Sequence, residues 1–326
     1  MEFRCHNCGS VQAQHLFTAP AFDPEPAQSY PVLRCASCQL VNTDLGGASI
    51  GAADYNPDYY GSSSSKFSVW IEAILGKAAR RRAREILALW RGSRPGQQQP
   101  SVLDIGCGRA VLLRAFQAEG AAVLGLERTE FPMDEELASI VRVGEIGGEE
   151  FRERCFDIVI LWHVLEHMEA HEDLLAEITG HLQADGLLVL AVPNFGGLQQ
   201  RLFGKYWFHL DLPRHLVHID AQWLREQLTR RGYTIERESH LDIIQNVYGF
   251  IQSGMNALFP ARPNAFYRLL KHRRQSTPAS LLPLLGWSCL ALLLAPFALL
   301  DALLGSCLRR GATVKVYARR DGKNDQ

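Results

Sequence analysis

Apolar and polar positions alternate in two rhythms along the chain. Between residues 101 and 242, short apolar runs recur at Ser101–Ile105, 122–126, 140–143, 156–161, 187–192 and 233–240, and each predicts a strand. Amphipathic stretches with helical spacing fall between them, near 111–119, 165–181 and 221–231. Strand and helix in alternation make an α/β fold, with a mostly parallel sheet covered by helices on both faces. A further helical pattern runs from about 66 to 90, before a Gly/Pro/Gln linker at 91–100, and residues 313–319 alternate like one more strand. A cluster of tyrosines (Tyr55, Tyr59, Tyr60) precedes the first helix.

Composition narrows the class. The 326 residues are 47% apolar and 21% charged, which excludes collagen-like, disordered and polytopic membrane chains. Thirty-four basic residues face 35 acidic ones, so the chain lacks the basic excess of a general nucleic-acid binder, although a local patch such as 80–84 stays open. Of eight cysteines, four form two CxxC pairs and Cys107, Cys155, Cys289 and Cys307 are scattered. The first residues, MEFRCH, carry no apolar stretch, and a reduced, cytosolic compartment is expected.

The run SVLDIGCGRAVLL reads as a buried strand, a Gly-x-Gly turn and a helix start. Gly106 permits a tight turn, and Gly108 lets the backbone approach a ligand at the positive end of the helix. Glu127 closes the second strand, where a carboxylate can hold ribose hydroxyls. An NAD-binding Rossmann domain shares these features but favours a full GxGxxG, and here Val111 occupies the third glycine position. In the plainer alternative Glu127 is a solvated loop residue.

Taken in order, VLDIGCG, LGLE, FDIVILWHVLEHM and DGLLVLAVPN resemble the successive motifs of class I S-adenosylmethionine-dependent methyltransferases, most of all the branch with ubiquinone-pathway O-methyltransferases. The resemblance spans about 101–240 and the last strand. It implies a doubly wound, mostly parallel seven-stranded Rossmann-like sheet. By the same resemblance Asp104, Gly106 and Gly108 lie along the cofactor's amino-acid end, Glu127 holds the ribose, and Trp162 and His163 border the methyl donor.

His163-Val-Leu-Glu166-His167 also fits the HxxEH pattern of inverted zinc peptidases, but it follows directly on a buried sheet strand, which conflicts with that reading. Helical spacing would put His163 and His167 on one face. Two expectations stand: a network that shapes the site, or a second divalent ion at His163, Glu166 and His167. Methyl transfer needs alignment, and an O- or N-acceptor must also lose a proton. His163, His167, His209 and His215 are the candidates for that work. His209 and His215 lie in KYWFHLDLPRHLVHID, which resembles the acceptor-side segment of the branch; alternatively Trp207 and Phe208 simply pack over the sheet end.

Cys5, Cys8, Cys35 and Cys38 form two knuckles whose four thiolates suit tetrahedral Zn²⁺, and a ribbon this small needs a metal to fold. HNCGS…LRCASC resembles the zinc ribbon fused to some of these methyltransferases, and a structural or acceptor-docking role is expected.

Residues 275–300 carry no charge, and 281–308 hold only Asp301. That length suffices for a membrane crossing. The resemblance places the last strand in the same sheet as the others, so the chain must return to the side it left. Pro296 divides the run into pieces too short to cross, so a re-entrant hairpin or an interfacial helix pair is expected. Basic flanks (Arg273, Arg274, Arg309, Arg310) suit an anionic cytoplasmic face. A buried helical pair in a soluble lid or dimer interface is the competing reading.

The expected organisation is a zinc ribbon (1–45), a helical linker or cofactor lid (46–100), the core (101–242), a membrane-associated helical insertion (243–312) and the last strand with a tail (313–326). The expected activity is S-adenosylmethionine-dependent O-methylation of a lipid-linked or amphipathic small molecule at the cytoplasmic membrane face. The alternatives are a soluble methyltransferase on RNA or protein docked by the ribbon, and a non-catalytic cofactor-binding scaffold.

Overall fold

The computed structural model describes residues 3–21, 28–48, 69–94, 96, 99–130, 133–148, 151, 154–169, 171–271 and 281–320. The tyrosine cluster and the basic pair Arg273 and Arg274 lie outside the described residues.

Two sheets organise the chain. The larger has seven strands: β4 (Ser101–Ile105), β5 (Ala122–Glu127), β6 (Val141–Val143), β7 (Phe156–Trp162), β8 (Leu182–Pro193), β10 (Tyr233–Ser239) and β11 (Thr313–Arg320). Their spatial order is β10-β11-β8-β7-β4-β5-β6. All neighbours from β8 to β6 run parallel, while β11 is antiparallel to both β8 and β10. The carboxyl ends of β4, β5, β7, β8 and β10 therefore lie at one edge, and β11 starts there.

Central strands are apolar on both sides because helices cover both faces. Val102, Ile158, Ile160 and Val189 face one layer, with Ala83, Leu87 and Trp90 of α1 (Val69–Ser93) and Phe116 of α2 (Val111–Ala118). Their neighbours Leu103, Val159, Leu161 and Leu188 face the other. That layer holds Leu175 and Ile178 of α4 (His171–Gly180) and Leu224 and Leu228 of α6 (Ala221–Arg230). A short α3 (Glu135–Ile140) precedes β6.

The smaller sheet is β1 (Ala13–Pro20), β2 (Ser29–Cys35), β3 (Val41–Thr43) and β9 (Val217–His218), in that order. Its first three strands belong to the cysteine-bearing segment, and the fourth comes from the segment after β8, so the ribbon is stitched to the core by strand pairing.

After α5 (Leu198–Phe203) and β10, the chain forms α7 (Ile243–Leu258), α8 (Ala265–Lys271) and α9 (Leu281–Cys307). Here the structure corrects the sequence reading. Pro296 does not divide the apolar run: α9 is one continuous helix through it. Proline costs a helical hydrogen bond, but α7 packs against Leu294 before it and Ala298 after it, which keeps the two halves in line.

The hairpin arms are α7 and α9. Gln199 donates to both Asn246 O and Asp301 Oδ2 at 2.7 Å, a Cβ at Gly254 would lie 3.2 Å from Leu294, and the Phe259 and Trp287 rings are 5.1 Å apart. Contacts that climb along α7 while descending along α9 make the pair antiparallel. Gln199 also explains how the single acid of the run is accommodated. The hairpin leaves the sheet's carboxyl edge after β10 and returns to it at β11.

Candidate functional site

The glycine loop joins β4 to α2. Gly106 has φ +67°, and a Cβ there would meet Val164 Cγ2 at 2.4 Å, so the turn admits only glycine. Gly108 (φ +52°) faces open space on its Cβ side, which leaves room for a ligand to approach the backbone. Ala110 adopts the left-handed conformation and caps α2 without a side-chain hydrogen bond. The first turn of α2 thus directs its N–H groups toward the loop's open side.

Glu127 is 6% exposed and faces this loop. Its Oε2 accepts from Gly108 N at 2.8 Å and its Oε1 from Arg128 N at 2.9 Å. Asp104 lies buried below. Burial, and then the charge of Glu127, push its carboxyl up to about 7 against the opposing pull of Arg82. Asp104, Gly106, Gly108 and Glu127 are thereby brought together at the ends of two adjacent strands.

Arg82 escaped the sequence reading, which grouped residues 80–84 as one basic patch. Its guanidinium sits 3.6 Å over the Trp162 ring and pairs with Asp242 at 3.0 Å. Asp242 is also the N-cap of α7, accepting from Gln245 N. Arg82 therefore clamps α1 over the strand ends and against the foot of the hairpin. The phase of the buried positions Ala79, Ala83 and Ile86 turns Arg82 inward, and that signal was present in the sequence. A second clasp, Arg109 to Glu72 at 3.0 Å, ties α1 to the glycine loop. By contrast Lys77, Arg80, Arg81 and Arg84 line an open surface hollow with Glu85.

At the end of β7, His163 takes φ +56° and lies outside any helix, and Leu165–His167 form a single 3-10 turn. The one-face helical arrangement of His163 and His167 is thus corrected: His163 donates its backbone N–H to Ala191 O and stays with the sheet. Its Nδ1 lies 3.2 Å from Glu166 Oε1, and its buried Nε2 has no hydrogen-bond partner among the described residues. Glu166 is 2% exposed. Burial alone would raise its carboxyl, but the His163 hydrogen bond and the imidazoles of His163, His215 and His167 outweigh it and hold the group at about 2.

Three of these groups converge. One ligand atom each from Glu166, His167 and His215 lies within 4.8 Å of the others, and the two imidazole centroids are 4.5 Å apart. His167 Nδ1 contacts Arg214 O at 3.0 Å, and His215 Nδ1 contacts His209 O at 2.9 Å. A carbonyl only accepts, so both Nδ1 atoms carry the proton and each Nε2 has a lone pair in the neutral ring. Burial and the neighbouring His167 push His215 down to about 4, which keeps it neutral at pH 7. This is the set that fits a divalent ion, with His215 in the place the sequence had given to His163.

His209 is placed elsewhere. Its ring packs under α7, where its Nε2 contacts Gln245 O at 3.3 Å and a Cβ at Gly249 would come within 2.2 Å of it. Burial brings it down to about 3, so it serves as a neutral packing and positioning group. Trp207 is buried in a small core with Ala19, Val32, Val41 and Phe195, under the ribbon.

The four ribbon cysteines meet as the spacing expects. Cys5 Sγ lies 3.6 Å from Cys38 Sγ, and Cys8 Sγ lies 3.6 Å from Cys35 Sγ, with all four sulfurs within 4.8 Å of one another. A tetrahedral Zn²⁺ with bonds of about 2.3 Å needs sulfurs about 3.8 Å apart. The Cys38 thiol beside it draws the Cys5 thiol down. The geometry fits a closed structural site with all four positions filled by sulfur.

Comparison with known proteins bears on this architecture. A family model described as "Methyltransferase domain" matches residues 75–238, half of the chain, from α1 to the end of β10. A ubiquinone biosynthesis O-methyltransferase of Histophilus somni (strain 2336) is 26% identical over 112 residues, which cover 30% of this chain and 47% of that protein. One from Pseudomonas aeruginosa (strain LESB58) is 35% identical over 88 residues, covering 24% and 38%. The chain thus matches less than half the length of these two relatives. A solved S-adenosylmethionine-dependent methyltransferase from Mesorhizobium loti aligns over 72% of this chain and 96% of its own, at 16% identity and a TM-score of 0.40. The family match covers six of the sheet's seven strands, all but β11, together with the glycine loop, Glu127 and the Glu166–His167–His215 cluster, and the chain belongs to the methyltransferase domain family.

Proposed function

We propose that the protein transfers the methyl group of S-adenosylmethionine to an oxygen of an amphipathic or lipid-linked small molecule at the cytoplasmic face of a membrane. The observation that carries this reading is the convergence, at one sheet edge, of the open glycine loop with Glu127, the half-buried His163 paired with the buried Glu166, and the foot of an apolar helical hairpin. The cofactor would lie along Asp104, Gly106 and Gly108 with its ribose at Glu127, and Trp162 would border the methyl donor. Bound there, it supplies an electrophilic sulfonium methyl.

The chain's own groups do the rest. His163 presents a buried Nε2 at the end of β7 and is oriented through Nδ1 by Glu166, the arrangement of an oriented general base. It takes the acceptor's proton as the oxygen becomes a nucleophile. Glu166, His167 and His215 would hold a divalent ion that lowers the acceptor's proton affinity. Zn²⁺ in the ribbon would be structural. Residues 69–93 act as a lid, clasped by Arg82–Asp242 and Glu72–Arg109.

Membrane docking is supported by α9. Residues Pro283–Cys307 are long and apolar enough to cross a membrane, with mean hydropathy 2.0, and only 17% of their most apolar window is buried. A core helix would be mostly covered. A full double crossing does not fit, because the 16-residue α7 is about 24 Å long against a bilayer core of about 30 Å. The hairpin would therefore enter one leaflet and return.

The test is incubation with isotopically labelled methyl donor and either a membrane lipid extract or a soluble metabolite extract. Label in a lipid-phase small molecule, lost in His163→Gln, is expected. Label in RNA or protein would favour docking through Lys77, Arg80 and Arg84, and cofactor binding without any turnover would leave a scaffold.

A further inference from the structure

The ribbon does more than sit beside the core. Its first knuckle is tied to β3, because His6 N donates to Asn42 Oδ1 at 3.0 Å, and Asn42 is fully buried. Strand β3 then pairs with β9, Val41 opposite His218 and Asn42 opposite Val217. Thr43, 2% exposed, completes the junction. Its hydroxyl donates to His215 O at 2.6 Å and lies 3.0 Å from His218 Nε2, while its backbone N–H donates to Leu216 O at 2.9 Å. Leu216 N in turn donates to Glu166 O at 2.9 Å. A continuous series of hydrogen bonds therefore runs from the Cys5–Cys8 knuckle through Asn42 and Thr43 to the backbone of both His215 and Glu166.

We propose that Thr43 is a positioning residue through which the metal-organised ribbon holds His215 beside Glu166 and His167. The inference rests on the proposed acceptor-side role of that cluster and on Zn²⁺ in the ribbon. A buried carbonyl that loses its donor is left unsatisfied, so the segment 215–218 has reason to shift once Thr43 or the ribbon fold is lost. Without the strand pairing to β3, β9 is a two-residue strand with nothing else in its sheet. The histidine would then leave the cluster while the seven-stranded sheet, which shares no strand with the ribbon, stays intact.

The experiment uses full-length protein and histidine modification by diethylpyrocarbonate, read site by site by mass spectrometry. Zinc content and S-adenosylmethionine affinity are measured on the same samples. Thr43→Val keeps the shape and removes the hydroxyl, and Thr43→Ser restores it. In Thr43→Val the modification rate of His215 should rise roughly tenfold. His181, which packs on Phe151 away from the ribbon and bonds Arg154 O, should keep its rate. Thr43→Ser should return His215 to its wild-type rate, and Cys5→Ser/Cys8→Ser, which removes the ribbon's metal set without touching the Glu166–His167–His215 cluster, should expose His215 as Thr43→Val does. Unchanged His215 protection in a folded, zinc-bearing Thr43→Val protein would overturn the proposal. So would loss of the ribbon metal in Cys5→Ser/Cys8→Ser that unfolds the ribbon without exposing His215. A wild-type protein that fails to bind S-adenosylmethionine would count against the functional reading alone, since the footprint is independent of turnover.

Discussion

The exposed face of α9 sets up a quantitative test. Leu285, Leu292, Leu293, Phe297, Leu299, Leu300, Leu303 and Leu304 are between 47% and 74% exposed. Fully burying such a side chain is worth about 1.5–3 kcal/mol, so at this exposure each regains roughly 1–2 kcal/mol on entering lipid. Eight of them supply roughly 8–16 kcal/mol, enough to hold the protein on a bilayer without help from charge. Replacing Leu293 and Leu300 by lysine forfeits that gain twice. Each lysine also adds a charge penalty of about 2.5–3.5 kcal/mol deep in the membrane. The pair should therefore cost roughly 7–11 kcal/mol, comparable to the whole anchor. Flotation with liposomes is the assay. Wild-type protein should float at both low and high salt and be released by detergent, whereas Leu293→Lys/Leu300→Lys should stay at the bottom with its methyl-donor affinity intact. Gln222→Lys/Glu226→Lys on exposed α6 positions is the control and should float like wild type. A wild-type protein that remains soluble and dimerises through this face, with the α9 variant monomeric, would refute the membrane reading.

Two further outcomes are expected. Glu127→Gln keeps the side chain's shape but not its charge, and should weaken S-adenosylmethionine binding about ten- to a hundredfold in calorimetry. Equal affinity in a folded variant would remove Glu127 from the cofactor site. Stability should also fall with acid between about pH 6.5 and pH 4. Burial holds His171 and His215 at about 4 and His209 and His218 at about 3, below their ordinary 6.5, so the unfolded chain binds more protons in that window. Asp104, raised to about 7, opposes them by one proton. The net uptake on unfolding approaches three protons, so urea-unfolding stability should drop by up to about 4 kcal/mol per pH unit there and level off above pH 6.5. A flat profile across that range would show that these imidazoles are not buried neutral.

Much of the core was legible because its determinants are local. The strands at 101–105, 122–126 and 156–161 are predominantly apolar runs, and the turn at Gly106 is dictated by backbone sterics that no other residue satisfies. The four ribbon cysteines were legible because two CxxC knuckles can supply one tetrahedral set, and the fold brings their four sulfurs within 4.8 Å of one another. What failed depended on partners distant in sequence. Proline at 296 reads as a break, yet α7 supplies a packing surface on both sides of it. The spacing of His163 and His167 suits one helix face, yet the backbone of His163 is held by Ala191 of the neighbouring strand and its φ is positive. His209 and His215 read as equivalent, and only the path of α7 separates a packing histidine from one in the cluster.

On the proposed reading, that last distinction ties the appendages to specificity. The segment between β8 and α6 is gripped from two sides. The hairpin takes its first part, where Phe208 N donates to Ser253 Oγ at 2.8 Å and His209 lies under Gly249. The ribbon takes its last part, through Thr43 and the β3–β9 pairing. The glycine loop and Glu127, in contrast, are built from β4, β5 and α2 and owe nothing to either appendage. A fold that fixes the cofactor end with its sheet and delegates the opposite end to a cysteine ribbon and an apolar hairpin can, on that reading, change its acceptor without disturbing its methyl donor. On the proposed reading, the hairpin brings the site to the lipid surface and the ribbon keeps His215 in register with Glu166. Substitutions in either appendage, away from the Asp242–Arg82 clasp, should then alter acceptor use while leaving cofactor affinity within about twofold, because they lie on a part of the structure that the cofactor loop does not touch.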